Sequence, residues 1–472
     1  MALGEKPPVV TIMGHIDHGK TTLLDYIRKS RQAEKEVGGI TQSIGAYQIK
    51  VNGEKITFID TPGHEAFTKM RSRGAQVADF VVLVVAANDG VMPQTKESIR
   101  IIQETQTPFL VAINKIDLPE ASPEKVKSQL AELGVLVEGY GGEIVAVPLS
   151  AKTGQGVDQL LEMILLLAKM AELKADPEAS LEAFVIEAKA DRFCGPLVNL
   201  IIKNGTLKKG DLIQAGEIVG KVKMIRNDLG QPSDQALPGD PVQVLGFPEL
   251  PPVGSIVTPA KVCPQASLTK CLSENKINLP KDEEGILKII LKTDVLGSLE
   301  ALENCLPEKV CVLSGSVGEI TESDILLAKT LGADIYGFNL PLPGHLQKLA
   351  KTEKVRVVTF KIIYDLLKDL EDRFTVNKTP QPQVLGKAKI LAIFEMKEGK
   401  VAGCRVEEGK ISKNKPVIIQ RGESVLGETK IVSLKEKKQD INEVEAGCEF
   451  GAIFADKLDF QVGDVVLSVN LE

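Results

Sequence analysis

Gly14-His15-Ile16-Asp17-His18-Gly19-Lys20-Thr21 fits G-x-x-x-x-G-K-[ST], a loop whose glycines let successive backbone N–H groups wrap phosphate oxygens. In that pattern Lys20 reaches the outer phosphates and the Thr21 hydroxyl ligates Mg²⁺. Alone, the loop leaves an ATPase, a kinase or a GTPase open. Further along stands Asp60-Thr61-Pro62-Gly63-His64. Here Asp60 would hold Mg²⁺ through a water and the Gly63 N–H would meet a γ-phosphate. His64 follows directly, an imidazole able to approach the attacking water. Ile16 and Ile40 are expected to form apolar shutters that keep this ring back. Between the two motifs, Gly38-Gly39-Ile40-Thr41 offers Thr41 as the second hydroxyl on Mg²⁺, in a stretch able to order around a γ-phosphate and release after hydrolysis.

Asn114-Lys115-Ile116-Asp117 narrows the base to guanine. A carboxylate at Asp117 can accept from both the N1–H and the 2-amino group, donors that adenine does not present in that arrangement. Asn114 would reach the other edge, and the stem of Lys115 would cover the ring. Ser150-Ala151-Lys152 follows the next strand and is placed to close the pocket. The ligands expected are GTP and GDP with Mg²⁺.

These motifs need a rigid frame. Over residues 1 to about 175, short apolar runs such as Val9 to Met13, Phe80 to Ala86 and Phe109 to Asn114 alternate with amphipathic stretches. That order predicts a mostly parallel sheet with helices on both faces and a ligand beyond the carboxyl ends of the strands. Residues 178–262 change to short β-branched runs punctuated by Gly, Pro and Asn, the pattern of a small β-barrel. Residues 282–360 return to α/β order, with a helix start at Thr321. Residues 361–378 repeat apolar positions at helical spacing, predicting a long connecting helix, and 383–472 read as a second barrel. A gapless shift of 204 residues lays Gly205 on Gly409, Leu207 on Ile411 and Ile213 on Val417, which points to two related barrels. The predicted fold class is multidomain α/β and β.

The chain has 472 residues, 43% hydrophobic and 26% charged, with a formal net charge of −7. That balance excludes a general nucleic-acid coat, so any RNA contact must be local. No apolar run is long enough to span a membrane, and Met1 to Pro8 is too short and polar for a signal peptide. Seven scattered cysteines read as reduced thiols, predicting a cytoplasmic protein.

The motif set G-H-I-D-H-G-K-T, G-I-T, D-T-P-G-H, N-K-I-D and S-A-K resembles that of the translational GTPases. Ala66 to Ala75, Ala86 to Thr95, Thr293 to Leu302 and Phe360 to Asp365 are worded like the bacterial-type translation initiation factor 2 family, over essentially the whole chain. The resemblance implies a factor that brings formylmethionyl initiator tRNA to the small ribosomal subunit and promotes joining of the large one. It further implies GTP hydrolysis stimulated by the ribosome, other initiation factors as partners, a monomer, and His64 as the catalytic group. In the last barrel it implies initiator-tRNA contacts at Cys404, Lys435, Lys438, Glu449, Phe450 and Gly451. There Glu436 replaces an expected Arg, and Phe450 replaces the Cys of a Glu-Cys-Gly step, with Cys448 nearby. Two other readings remain: a nucleotide-controlled binding module with incidental hydrolysis, and an elongation factor. The second α/β region and the long helix disfavour the latter.

Overall fold

The computed structural model describes residues 4–29, 44–260, 286–307, 309–376, 383–396, 399–413, 415–421, 424–436, 439–455 and 460–470. Gly38, Gly39, Ile40, Thr41, Cys263, Cys271 and Lys438 lie outside them. The chain forms two compact units, Met1–Leu370 and Glu371–Glu472.

The first unit begins with a six-stranded sheet in the order Gly45–Val51, Glu54–Asp60, Val9–Gly14, Phe80–Ala86, Phe109–Asn114, Ala146–Pro148. All neighbours are parallel except Gly45–Val51, an antiparallel edge. Val9–Gly14 and Phe80–Ala86 are buried at every position, as strands covered on both faces must be. Helices α1 (Lys20–Arg28), α2 (Thr68–Val77), α3 (Pro93–Thr105), α4 (Pro123–Glu132) and α5 (Val157–Met170) complete this layer. One apolar cluster, from Val10 and Leu23 to Ile164, fills one face, and another, from Met13 and Leu83 to Leu130, fills the other.

An antiparallel barrel follows from Glu182–Asp191 to Ile256–Pro259. Next comes a four-stranded parallel sheet ordered Val310–Val317, Leu287–Thr293, Asp334–Phe338, Val357–Phe360, with α6 (Leu296–Cys305), α7 (Glu322–Leu331) and α8 (Gly344–Glu353). Thr321 caps α7 through the reciprocal bonds of a capping box with Asp324, satisfying backbone donors that the helix start leaves free. Helix α9 spans Ile363–Val376.

One apolar cluster draws on all three regions of the first unit. Phe67 and Met70 of the first region, Ile186 and Ile201 of the barrel, and Leu299, Phe338, Ile363 and Leu366 beyond it are buried in a single cluster. Around it, Gln48 donates to Asp240 at 3.1 Å, Arg73 pairs with Glu300 at 2.7 Å, and the Gly297 N–H donates to Glu187 at 3.0 Å. The second unit is a barrel built from Gln383–Met396, Gly399–Ser412, Pro416–Arg421, Ser424–Glu436, Glu449–Phe454 and Val465–Asn470.

Candidate functional site

The phosphate loop runs from the carboxyl end of Val9–Gly14 into α1. Its glycines are there for space. Gly14 sits at φ +143°, where an added Cβ would collide with the Val84 carbonyl, and Gly19 at φ +85° would collide with Asn114. Lys20 is buried, and its ammonium donates to the carbonyls of Gly14 (3.0 Å) and His15 (2.6 Å). Burial lowers its pKa to about 8, with Asp60 opposing that shift. A phosphate in the loop supplies the anion that a desolvated ammonium lacks. The Ile16 N–H donates to Gln94 at 3.0 Å, so the start of α3 pins the loop from outside. Asp17 is exposed at φ 63°. His18 is buried with its ring against the Val84 carbonyl and edge-on to His15 at 5.0 Å. Burial pushes its pKa down to about 4, so this ring is neutral and packs the loop.

Thr21 and Asp60 are both half-buried, at the start of α1 and the end of Glu54–Asp60. A hydroxyl and a carboxylate are hard oxygen donors suited to Mg²⁺, so the residues present fit that ion. Bound there, Mg²⁺ would neutralise charge on the phosphate oxygens. Asp60 also serves Lys20 electrostatically, since its charge favours the ammonium.

At the base end, Asn114 has a bracing task beyond the one expected. It is 2% exposed; its Oδ1 accepts from the N–H groups of Lys115 (2.8 Å) and Ala151 (2.9 Å), and its Nδ2 donates to the His18 carbonyl (2.8 Å). It braces the phosphate loop against both base loops, and its Nδ2, which carries two N–H donors, has one left for a base. Asp117 is exposed and ready to accept from a base. The buried Ser150 hydroxyl donates to it at 2.7 Å and holds its carboxyl below the usual carboxylate range. Lys115, at φ 63°, lies beside Asp89 at 3.4 Å, and Lys152 is exposed at the rim.

The loop after Asp60 turns toward Lys20. The Gly63 backbone comes so close to Lys20 that an added Cβ would meet its ammonium. His64 is 4% exposed and caps the short helix Glu65–Phe67: its Nδ1 accepts from the Ala66 N–H at 2.9 Å. Because Nδ1 accepts, the neutral ring carries its proton on Nε2, and burial lowers the pKa. Nε2 is buried with no hydrogen-bond partner among the described residues. The ring packs against Tyr364 at 4.2 Å and Phe67 at 6.0 Å, so a ring from α9 contacts it; the expected shutter at Ile40 lies outside the described residues. Arg71, fully buried, donates to the carbonyls of Pro62 (3.1 Å) and His64 and pairs with Glu97 at 2.7 Å. Spacing gave no signal for Gln94, Arg71, Glu97 or Tyr364, because each arrives by tertiary contact.

In the second unit, two expected tRNA contacts are corrected. Cys404 (1% exposed) and Phe450 (4% exposed) are paired across Gly399–Ser412 and Glu449–Phe454 and fill the barrel core. Burial raises the Cys404 thiol to about 12. A residue sealed inside a barrel cannot touch RNA. Lys435 and Glu449 are exposed and Gly451 half-buried, with Gly451 opposite Lys435.

A phosphate loop, an Asp-x-x-Gly switch and a guanine-type pocket at the strand ends, followed by two barrels, define a translational GTPase. Residues 5–170 match the Elongation factor Tu GTP binding domain family, 180–259 Elongation factor G domain 2, and 399–467 Elongation factor Tu domain 2. Residues 265–371 match Translation-initiation factor 2. The chain is 44% identical to Translation initiation factor IF-2 of Thermus thermophilus over 98% of its own length and 86% of that protein. It is 46% identical to IF-2 of a Thermotoga species over 97% of its length and 70% of that protein. The crystal structure of GDP-bound aIF5B from Aeropyrum pernix superposes with a TM-score of 0.52 at 26% identity, covering 99% of this chain and 92% of that one. The chain belongs to the translation initiation factor 2 family and is a GTPase that binds GTP and GDP. Among the described residues, no helix is long and apolar enough to cross a membrane.

Proposed function

We propose that this initiation factor, in its GTP-bound form, brings formylmethionyl initiator tRNA to the small ribosomal subunit, promotes subunit joining, and hydrolyses GTP once the ribosome activates it. Residues 1–175 carry the reaction. Lys20, Gly63 and the loop 14–21 hold the phosphates, and Thr21, Asp60 and Thr41 serve Mg²⁺. Asp117, Lys115 and Ser150 to Lys152 enclose the base over the Asn114 brace, and His64 acts on the attacking water.

The observation that carries this reading is the state of His64. It follows the glycine that touches Lys20, yet its ring is turned into protein, with Nδ1 committed to Ala66. In this position Nε2 is buried in protein, so the ring can orient a water only after it swings out. A group beside the phosphates and held away from them suits an enzyme that is slow alone and fast on its partner.

GTP hydrolysis should be measured with and without ribosomes and formylated initiator tRNA. Slow turnover alone and strong acceleration by ribosomes are expected; no acceleration would sink the proposal. His64→Ala should remove roughly a hundredfold or more of the accelerated rate, the usual scale for a positioned acid–base group, with GTP affinity nearly unchanged. Loss of affinity instead would make the ring structural.

A further inference from the structure

We propose that Tyr364, in the first turn of α9, is a positioning residue for GTP hydrolysis: its ring latches His64 in the resting place, and withdrawal of α9 from the 60–67 loop frees it. This rests on the reading of His64 as the catalytic group.

Three observations place the latch. The ring of Tyr364 lies 4.2 Å from that of His64, tilted by 53°, closer than Phe67 on the other side. Tyr364 is 49% exposed, so about half of it is free of neighbours while one face covers the imidazole. Its position is nevertheless fixed, because Ile363 and Leu366 on either side are fully buried in the same apolar cluster as Phe67 and Met70. The backbone that carries the latch therefore moves with α9. The cap from Ala66 and the Arg71 bond to the His64 carbonyl belong to the same loop and its helix, and travel with it. Tyr364 alone among these contacts comes from the far side of the barrel in sequence, so it can report a rearrangement there to the catalytic ring.

A latch and a support make opposite predictions. If Tyr364 supported the active position of His64, its loss would lower turnover. As a latch, its loss raises turnover without ribosomes. The test uses the full chain, with Tyr364→Ala, Tyr364→Leu and Tyr364→Phe, each checked for unchanged thermal unfolding. Ribosome-independent GTP turnover is expected to rise roughly tenfold in Tyr364→Ala, the effect of about 1.4 kcal/mol on the barrier. Tyr364→Leu should give a smaller rise, and Tyr364→Phe, which keeps the ring, should restore wild-type turnover. The rise must disappear in the Tyr364→Ala, His64→Ala double variant. In parallel, the His64 imidazole followed by NMR should titrate nearer its ordinary value in Tyr364→Ala. Unchanged or lower turnover in Tyr364→Ala, whatever the His64 titration does, would overturn the latch, and so would a rise that survives the double variant. If His64→Ala alone leaves the ribosome-stimulated rate intact, it is the assignment of His64 that fails, and the unmoved or moved titration still decides whether Tyr364 holds the ring.

Discussion

The two barrels place the same positions in their cores and opposite chemistry on their outer faces. In the first, Val198, Leu200, Val242 and Val244 face inward, paired as Val198 with Val244 and Leu200 with Val242. In the second, Ala402 pairs with Ala452 and Cys404 with Phe450, and all four are buried. The shift of 204 residues carries Leu200 onto Cys404 on one strand. The strand connections also agree: Gly195–Asn204 joins Glu182–Asp191 and Pro241–Leu245, and Gly399–Ser412 joins Gln383–Met396 and Glu449–Phe454. A medium pair, Leu with Val, is thus exchanged for a small and a large one, Cys with Phe, a swap that cores accept when volume is kept. Phe450 is a repacked core residue, not a damaged contact. The outward neighbours diverge. Ile201, opposite Pro241, is buried in the core shared with Met70 and Leu299, whereas Arg405, opposite Glu449, is exposed. At this matched position the outer face is apolar where its own unit covers it and charged where it is exposed.

The largest expected effect tests the equivalence of the cores. Phe450→Ala should cost about 3–5 kcal/mol and Leu200→Ala about 2–5 kcal/mol, each read from hydrogen-exchange protection of its own barrel in the full chain. The comparison breaks if Phe450→Ala leaves protection intact while abolishing initiator-tRNA binding.

The parts legible in the sequence were those whose information is local. The strands Phe80–Ala86 and Phe109–Asn114 stand out as unbroken apolar runs because helices cover both their faces. The edge strand Gly45–Val51 did not, since its outward Gln48 and Lys50 interrupt the pattern, and Gln48 is spent on Asp240. Helix α2 carries no such signal, because its buried face includes Arg71 and Gly74 rather than a stripe of Leu and Ile. Helix α8 begins at Gly344-His345, and its buried residues are only Leu346 and Ala350. The site divides in the same way. The phosphate loop and Asn114 to Asp117 are short-range spacings, but the burial of Cys404 and Phe450 depends on strand parity, which a list of motif residues does not carry.

A middle-sized effect concerns the covered face of the first barrel. Glu187, 3% exposed, accepts from the N–H groups of Ala188 and Gly297, the latter at the start of α6. Burial outweighs those bonds and raises its pKa to about 7. The folded state therefore holds this proton more tightly than the unfolded chain does. The resulting stability is fully present below about pH 4.5 and is lost as pH rises through 7, by about 3 kcal/mol at most. Protection of α6 should fall between about pH 4.5 and 7 and level off above that, and Glu187→Gln should flatten that dependence. A pH dependence that survives the substitution would assign it elsewhere. The exposed face of the second barrel, where Lys410 pairs with Glu443 and Glu445 at the surface, should show no comparable change.

The smallest expected effect on stability bears on what the charged face is for. Arg405 is exposed beside Glu449, so Arg405→Ala should change stability by no more than about 0.5 kcal/mol. If this face meets the initiator tRNA, the same substitution removes a phosphate contact. The slope of log affinity against log salt should then become shallower by about one unit, and Lys435→Ala should do likewise from the next strand but one. Affinity measured at several salt concentrations separates the cases: an unchanged slope in both variants would place the RNA on another face, and with it would go the functional meaning of the difference between the two barrels.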